Sequence, residues 1–330
     1  MASRWLTGRG FAVPVPRMVD RRRSLHYVTG KGGVGKSTVC AALALAAAAR
    51  GQRVLAIELG QPGGLRRLLG VAPEPAGTIA PAPAAPGVAV TWFDGAAALG
   101  EYLVRRLRLG RLGRALIAHP IYQAFATAAP GVRELMVIGK VRDELVLQRI
   151  GARPRWDLIV VDAGASGHAL AHLRMPAAAA RSFPAGLVHR EATRNAALLG
   201  DPATCAVHVV ASPEELPLAE AAQVVMALRT LGLDGGALLV NQCRPAAPPE
   251  IDETVARLGE LAVTPGLEAA RDEVATAVRR ARRWERIQER GVAALESELG
   301  VTAVRLPRLW HGEGLARAAA LAPLVEEATR

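Results

Sequence analysis

Residues 30–38 read Gly-Lys-Gly-Gly-Val-Gly-Lys-Ser-Thr, and few stretches of this length restrict a fold as strongly. The pattern Gly30-x-x-x-x-Gly35-Lys36-Ser37 is a Walker A match. Gly30, Gly32, Gly33 and Gly35 let the backbone wrap around phosphates, with its N–H groups, that of Val34 included, turned inward. An apolar segment, Leu25 to Val28, precedes the loop, and an alanine-rich helix from about Lys36 to Arg50 follows. The N-terminal dipole of that helix adds to the attraction for anions. Lys36 is placed to reach the β- and γ-phosphates, Ser37 to ligate Mg²⁺, and Thr38 to close the loop. The gap-free match, in the order strand, loop, helix, argues against a chance glycine-rich turn.

A loop of this type needs a parallel sheet around it, and the rest of the chain supplies one. Short apolar runs at 53–58, 88–92, 156–162, 206–211, 237–241 and 301–306 read as buried strands. Helical stretches fall at 214–232, 251–260, 266–298 and from 314 to the end, and residues 72–87, rich in Pro, Ala and Gly, read as a surface loop. The alternation predicts an α/β fold: a mainly parallel twisted sheet with helices on both faces. Residues 95–150 read as a helical insertion broken at Gly110, Pro120 and Pro130-Gly131, inside a single domain spanning 24–330. Residues 1–23 read as a flexible basic tail.

Charge and cysteines narrow the function classes. The net charge is +11, yet of 41 basic residues only Lys31, Lys36 and Lys140 are lysine. That arginine bias points to genome composition rather than to a nucleic-acid surface. Two of the three lysines sit in the phosphate loop, where a compact ammonium fits better than a guanidinium. The basic clusters, Arg17 to Arg23 and Arg279 to Arg283, read as a loose tail and a solvated helix face, with any membrane contact peripheral. The three cysteines, Cys40, Cys205 and Cys243, form no CxxC pair and indicate neither a zinc clip nor a disulfide framework. Reduced cysteines, and the lack of an apolar run of ~20 residues, predict a cytoplasmic protein.

The second acid of the site is Asp162, which ends the strand Trp156-Asp-Leu-Ile-Val-Val-Asp162. A carboxylate there suits the Mg²⁺ shell, and the glycines after it suit a loop that changes shape with the γ-phosphate. Asp162, Gly167, His168 and Leu170, followed by Met175-Pro176, resemble the second switch of the arsenite-pump and guided-entry ATPases, D-T-A-P-T-G-H-T-L-R…L-P. Four further stretches resemble the same family in order: Pro130-Gly131-Val132-Arg133-Glu134-Leu135, Ser212-Pro213-Glu214-Glu215-Leu216, Val240-Asn241-Gln242, and Leu306-Pro307 with Gly314-Leu315. The resemblance implies ATP or ADP with Mg²⁺ as ligands, Asn241 and Pro307 at the adenine, and Ser37 and Asp162 at the metal. It also implies that Lys31, the extra lysine of the deviant Walker A group, reaches a partner's nucleotide across a dimer interface, supplying charge to the transferring phosphoryl group as Lys36 does from within. The dimer would be a homodimer or a heterodimer with a paralogous ATPase, acting on a protein client.

The chain departs from that family at the first switch. Where the family shows D-P-A-[HS]-[NS], with an aspartate that orients the attacking water, this chain has Gly60-Gln61-Pro62-Gly63-Gly64. Glu58, two residues earlier, matches a second acid of division-site ATPases and is the candidate to assist Mg²⁺ or to replace the missing base. Weak hydrolysis is therefore expected, with a non-hydrolysing regulatory subunit and a partition or division-site ATPase as the alternative readings. Residues 177–204 are too short and polar for the apolar client groove of tail-anchored-protein carriers. Leu103, Leu107, Leu112, Leu116, Ile117, Ile121 and Phe125 offer apolar material within 95–150.

Overall fold

The computed structural model describes residues 23–60, 63–95, 98, 131–233, 235–246, 248, 250–260 and 268–329. Its centre is β1 (Leu25–Gly30), a strand buried along its length. A strand buried on both faces requires neighbours on both sides and helices above and below. β1 lies between β7 (Leu158–Asp162) and β8 (Cys205–Ala211), both parallel to it. Beyond β7 come β2 (Val54–Leu59), β4 (Val88–Phe93) and the two-residue β3 (Ala80–Pro81); beyond β8 come β9 (Leu238–Cys243) and β10 (Val304–Pro307). Only β3 runs antiparallel within this sheet.

The helices divide between the faces. Under one face α1 (Lys36–Ala49) packs on α9 (Leu315–Thr329) and on the short α2 (Gly64–Leu68). Alanine makes this close packing possible: Ala41, Ala42, Ala44 and Ala47 are all buried against Val54, Leu321 and Val325. The other face carries α3 (Val132–Arg142), α4 (Ser166–Ser182), α5 (Gly186–Gly200), α6 (Glu215–Thr230) and the C-terminal part of α8 (Glu268–Leu299). α7 (Glu250–Glu260) packs on α8. The mainly parallel, doubly covered sheet is the architecture predicted from the strand–helix alternation.

Two local readings are corrected. The helical reading of 95–150 fails at its C-terminal end. α3 passes into a π-helical turn at Asp143–Leu147, and β5 (Arg149–Ile150) then pairs with β6 (Arg153–Pro154) in a small hairpin. Gly151, at φ +61°, supplies the turn. The leucines and Phe125 singled out between 103 and 125 lie outside the described residues, as does the basic tail up to residue 22. The supposed surface loop 72–87 contains β3, held to β4. The polar segment 177–204 is helical, because α4 runs through Pro176 and α5 follows. Two of its polar residues are not solvated: Glu191 is 4% exposed and Asn195 is fully buried. The Arg142 guanidinium on α3 donates to Glu191 at 2.6 Å and to the Asn195 side-chain carbonyl at 2.9 Å, and Asn195 donates onward to the Leu135 carbonyl at 3.2 Å. Buried polar groups matched in this way tie α3 to α5.

Candidate functional site

Residues 30–38, Glu58, Gly60, Asp162, His168, Asn241 and Pro307 gather at the carboxyl ends of the parallel strands, where ligands bind in sheets of this kind. Gly30 ends β1, and the loop turns through Gly33 and Gly35 at positive φ before α1 begins at Lys36. Gly35 is constrained twice. Its φ is +95°, and a Cβ there would lie 2.3 Å from the Asn241 side-chain nitrogen. That nitrogen donates to the Val34 carbonyl at 2.8 Å, and the Gln242 side chain donates to the Gly33 carbonyl at 3.3 Å. The end of β9 thus clamps the back of the loop.

Three charged side chains converge below the loop although each is more than nine-tenths buried: Lys36, Asp162 and Glu58. The Lys36 ammonium spans the loop to the Lys31 carbonyl at 2.9 Å, and the Ser37 hydroxyl donates to Asp162 Oδ2 at 2.5 Å. Burial pushes the Lys36 pKa down, opposed by the Asp162 carboxylate. Burial raises the Asp162 pKa, while the Ser37 hydroxyl and Lys36 pull it back. Glu58 pairs in register with Asp162 across β2 and β7. Its Oε1 accepts from the Gly63 and Leu65 backbone N–H groups at 3.1 and 2.9 Å, whereas its Oε2 is buried without a protein partner. Burial, partly offset by these two N–H groups, raises its pKa. The orphaned Glu58 oxygen, the Ser37–Asp162 pair and the inward ammonium suit a hydrated Mg²⁺ with phosphates, since Mg²⁺ is held by one or two carboxylates plus phosphate oxygens.

Gly60 does not simply lack a side chain. It sits at φ +95°, solvent-exposed, with its N–H bonded to the Phe93 carbonyl. An aspartate there would adopt a left-handed conformation that costs roughly 1–2 kcal/mol. Beyond Gly60 opens a cavity of about 730 Å³, lined also by Gly164, His168 and His172 from the second switch and by Arg133 and Glu134. His168 is exposed at its edge and Gly167 lies beside it. Arg133 and Glu134 and the Ala163-to-His168 stretch, remote in sequence, therefore face one space.

Two features were not read from the sequence. Lys31 points to its own subunit's α6, where its ammonium meets Glu220 Oε2 at 3.1 Å, while Glu220 Oε1 accepts from the Ser166 hydroxyl at 2.6 Å. The Ser166 hydroxyl first and Lys31 second hold the Glu220 carboxyl below the usual carboxylate range. The second feature is a cleft of about 360 Å³ beside Thr38, Asn241 and Pro307, to which Arg308, Trp310 and Arg317 contribute. Trp310 is 57% exposed, with the Arg308 guanidinium 4.6 Å from its ring centre. A tryptophan three residues after a Leu-Pro pair could have been flagged from sequence; Glu220 could not.

A sheet whose first strand feeds a glycine loop onto a helix, with lysine, serine and aspartate converging beneath it and a flat cleft alongside, defines a P-loop nucleotide-binding protein. Residues 26–261 match the CobQ/CobB/MinD/ParA nucleotide binding domain, and the chain belongs to that family. It is similar to the ATPase BagA of Mycobacterium tuberculosis, with 36% identity over 239 residues, covering 72% of this chain and 70% of that one. It is more distantly similar to the arsenical pump-driving ATPase of Acidiphilium multivorum, with 26% identity over 246 residues, 70% of this chain and 41% of that protein. Among the described residues, no helix is long and apolar enough to cross a membrane, and no group of three or more His, Cys, Asp or Glu side chains is arranged to hold a metal by itself.

Proposed function

We propose that this chain is a nucleotide-dependent switch ATPase of the arsenite-pump and guided-entry kind, which binds Mg–ATP in the loop 30–38 and works as a dimer. The observation that carries this reading is the convergence of Lys36, Ser37 and Asp162 under the loop, with the Asn241–Pro307 cleft on the base side. Mg²⁺, when bound, neutralises phosphate charge during phosphoryl transfer. Lys36 exchanges the Lys31 carbonyl for phosphate oxygens, the Ser37 hydroxyl and Asp162 face the metal shell, and Asn241 and Pro307 orient the base. Lys31 leaves Glu220 to reach the partner's triphosphate. This movement leaves the Glu220 carboxylate on the Ser166 hydroxyl, at the start of the second-switch helix, so the dimer contact and the switch share one acid. A ligand shifts such an equilibrium only by its differential affinity for the two states.

Turnover is slow in this reading. Gly60 offers no group to orient water, and Glu58 Oε1 already anchors α2. Those two observations also favour a second reading, in which the chain is the nucleotide-binding, weakly hydrolysing half of a heterodimer and donates Lys31 to a paralogue that keeps the aspartate.

Calorimetry with Mg–ATP and steady-state phosphate release, on the wild type, Lys36→Ala and Gly60→Asp, test the proposal. Micromolar binding that Lys36→Ala abolishes, with slow turnover, supports it. No heat of binding in the wild type refutes nucleotide binding, and turnover equal to that of an aspartate-bearing relative refutes the slow-switch reading. Isolation of a nucleotide-bound homodimer, with no paralogue co-purifying, decides against the heterodimer.

A further inference from the structure

α2 carries a buried arginine with an unused edge. Arg66 is 3% exposed. Its Nη1 donates to the Glu74 carbonyl at 3.3 Å, but its Nε and Nη2 are buried and have no protein partner. These two nitrogens form one side of the guanidinium, with parallel N–H bonds spaced for two oxygens of a carboxylate or phosphoryl group. Arg53 shows that use in the same molecule: its Nε and Nη2 donate to the two oxygens of Asp157 at 3.0 and 2.8 Å. Among the described residues, the Arg66 edge has no such acid.

Arg66 instead lines a cavity of about 480 Å³, with Arg67 beside it and Gly63, Gly70 and Pro73 completing much of the wall. No acidic side chain is among the described residues that line this cavity. Arginine cannot escape the cost of burial by losing its proton. A buried charge without a counterion is strongly unfavourable, and a hydrogen-bonded anion removes much of that penalty.

We propose that Arg66 and Arg67 form a binding site for a small oxyanion, a phosphate or the carboxylate of a small acid, seated bidentately on the Nε/Nη2 edge of Arg66 once that edge, closed off in this structure, turns into the cavity. The site is separate from the loop 30–38. It lies on the segment that follows Gly60, because the residues opening α2 donate their N–H groups to Glu58 and Gly64 abuts Ser37, where an added Cβ would lie 2.8 Å from its hydroxyl. An occupant therefore braces the element that closes over the metal side of the nucleotide site.

Thermal unfolding of the full chain tests this at constant ionic strength, with sodium phosphate and sodium succinate titrated separately into the wild type, Arg66→Met and Lys36→Ala. A rise in midpoint is expected in the wild type and in Lys36→Ala, and no rise in Arg66→Met. A response to phosphate alone assigns a phosphoryl ligand, and a response to succinate alone a carboxylate. Without either anion, Arg66→Met is expected to melt at or above the wild-type midpoint, because it removes an uncompensated buried charge. Arg66→Lys keeps the charge but loses the paired donors, and is expected to bind the effective anion roughly tenfold more weakly, the equivalent of one charged hydrogen bond. It also serves if Arg66→Met does not fold. A response lost in Lys36→Ala but kept in Arg66→Met places the anion in the phosphate loop and overturns the proposal. So does a wild-type midpoint that neither anion moves, or undiminished affinity in Arg66→Lys.

Discussion

Acidification from pH 7 to pH 5 should destabilise the fold through two histidines in the middle of the sheet. His208 on β8 accepts the Ala237 backbone N–H at its Nδ1, at 3.0 Å. Its proton therefore sits on Nε2, which donates to His26 Nδ1 on β1 at 2.7 Å, the rings inclined at only 12°. The remaining His26 N–H bonds the Arg23 carbonyl. Every nitrogen has its partner only while both rings are neutral, and protonating His208 would aim a new N–H at the N–H of Ala237. Burial, then the Arg23 charge, holds His26 down to about 4, and burial together with the His26 ring holds His208 well below the ordinary histidine value. Because the folded pKa lies below the unfolded value, the unfolded chain binds more protons between about pH 6.5 and 4. Stability is full above that window and is lost as pH falls through it. For His26 alone the loss is about 2 kcal/mol at pH 5 and about 3 kcal/mol once pH lies below both values. With a urea slope of about 3 kcal/mol per M, the midpoint should fall by roughly 0.7 M between pH 7 and pH 5. His172, which burial also holds at about 4, adds in the same direction, while the raised carboxyls of Glu58 and Asp162 act against it. The double variant His26→Gln, His208→Gln isolates the pair and should lose less stability over the same interval. An equal pH dependence in that variant, or nitrogen-15 spectra showing either ring titrating near pH 6.5, would refute the reasoning.

Three further outcomes are expected. Gly35→Ala puts a methyl group into Asn241 at a left-handed φ; it should leave the circular dichroism spectrum intact but weaken ATP binding at least tenfold by calorimetry, about 1.4 kcal/mol, and an unchanged Kd would contradict the clamp. Glu220→Gln removes an ion pair whose partners are each about a third exposed. Its effect on the urea midpoint should be under about 1 kcal/mol, while amine-selective labelling of Lys31 accelerates and ATP-dependent association needs less nucleotide; labelling at the wild-type rate would show that Glu220 does not hold Lys31. Trp310→Ala should weaken ATP roughly tenfold, as loss of one base-stacking ring does, and leave inorganic tripolyphosphate binding unchanged; an equal loss for both ligands would mean that the indole acts on the loop and not on the base.

The phosphate loop was readable because its chemistry is local: glycine freedom, one lysine and one hydroxyl at set spacing, between an apolar run and an alanine-rich one. The strand alternation was readable for the same reason, since strands covered on both faces are mostly apolar. Helix α5 was hidden because Glu191 and Asn195 look solvated until Arg142 arrives from α3 to partner them. The short pairings of β3 with β4 and of β5 with β6 depend on backbone hydrogen bonds that leave no trace in side-chain pattern. Linear order marked Lys31, Asp162 and Gly60, but which strand lies beside which decided that Glu220 holds the lysine, that two histidines meet inside the sheet and that Arg66 is sealed without an acid. A polar side chain is defined by what closes upon it, and in a sheet ordered β10-β9-β8-β1-β7-β2-β4-β3 those neighbours come from distant stretches of chain.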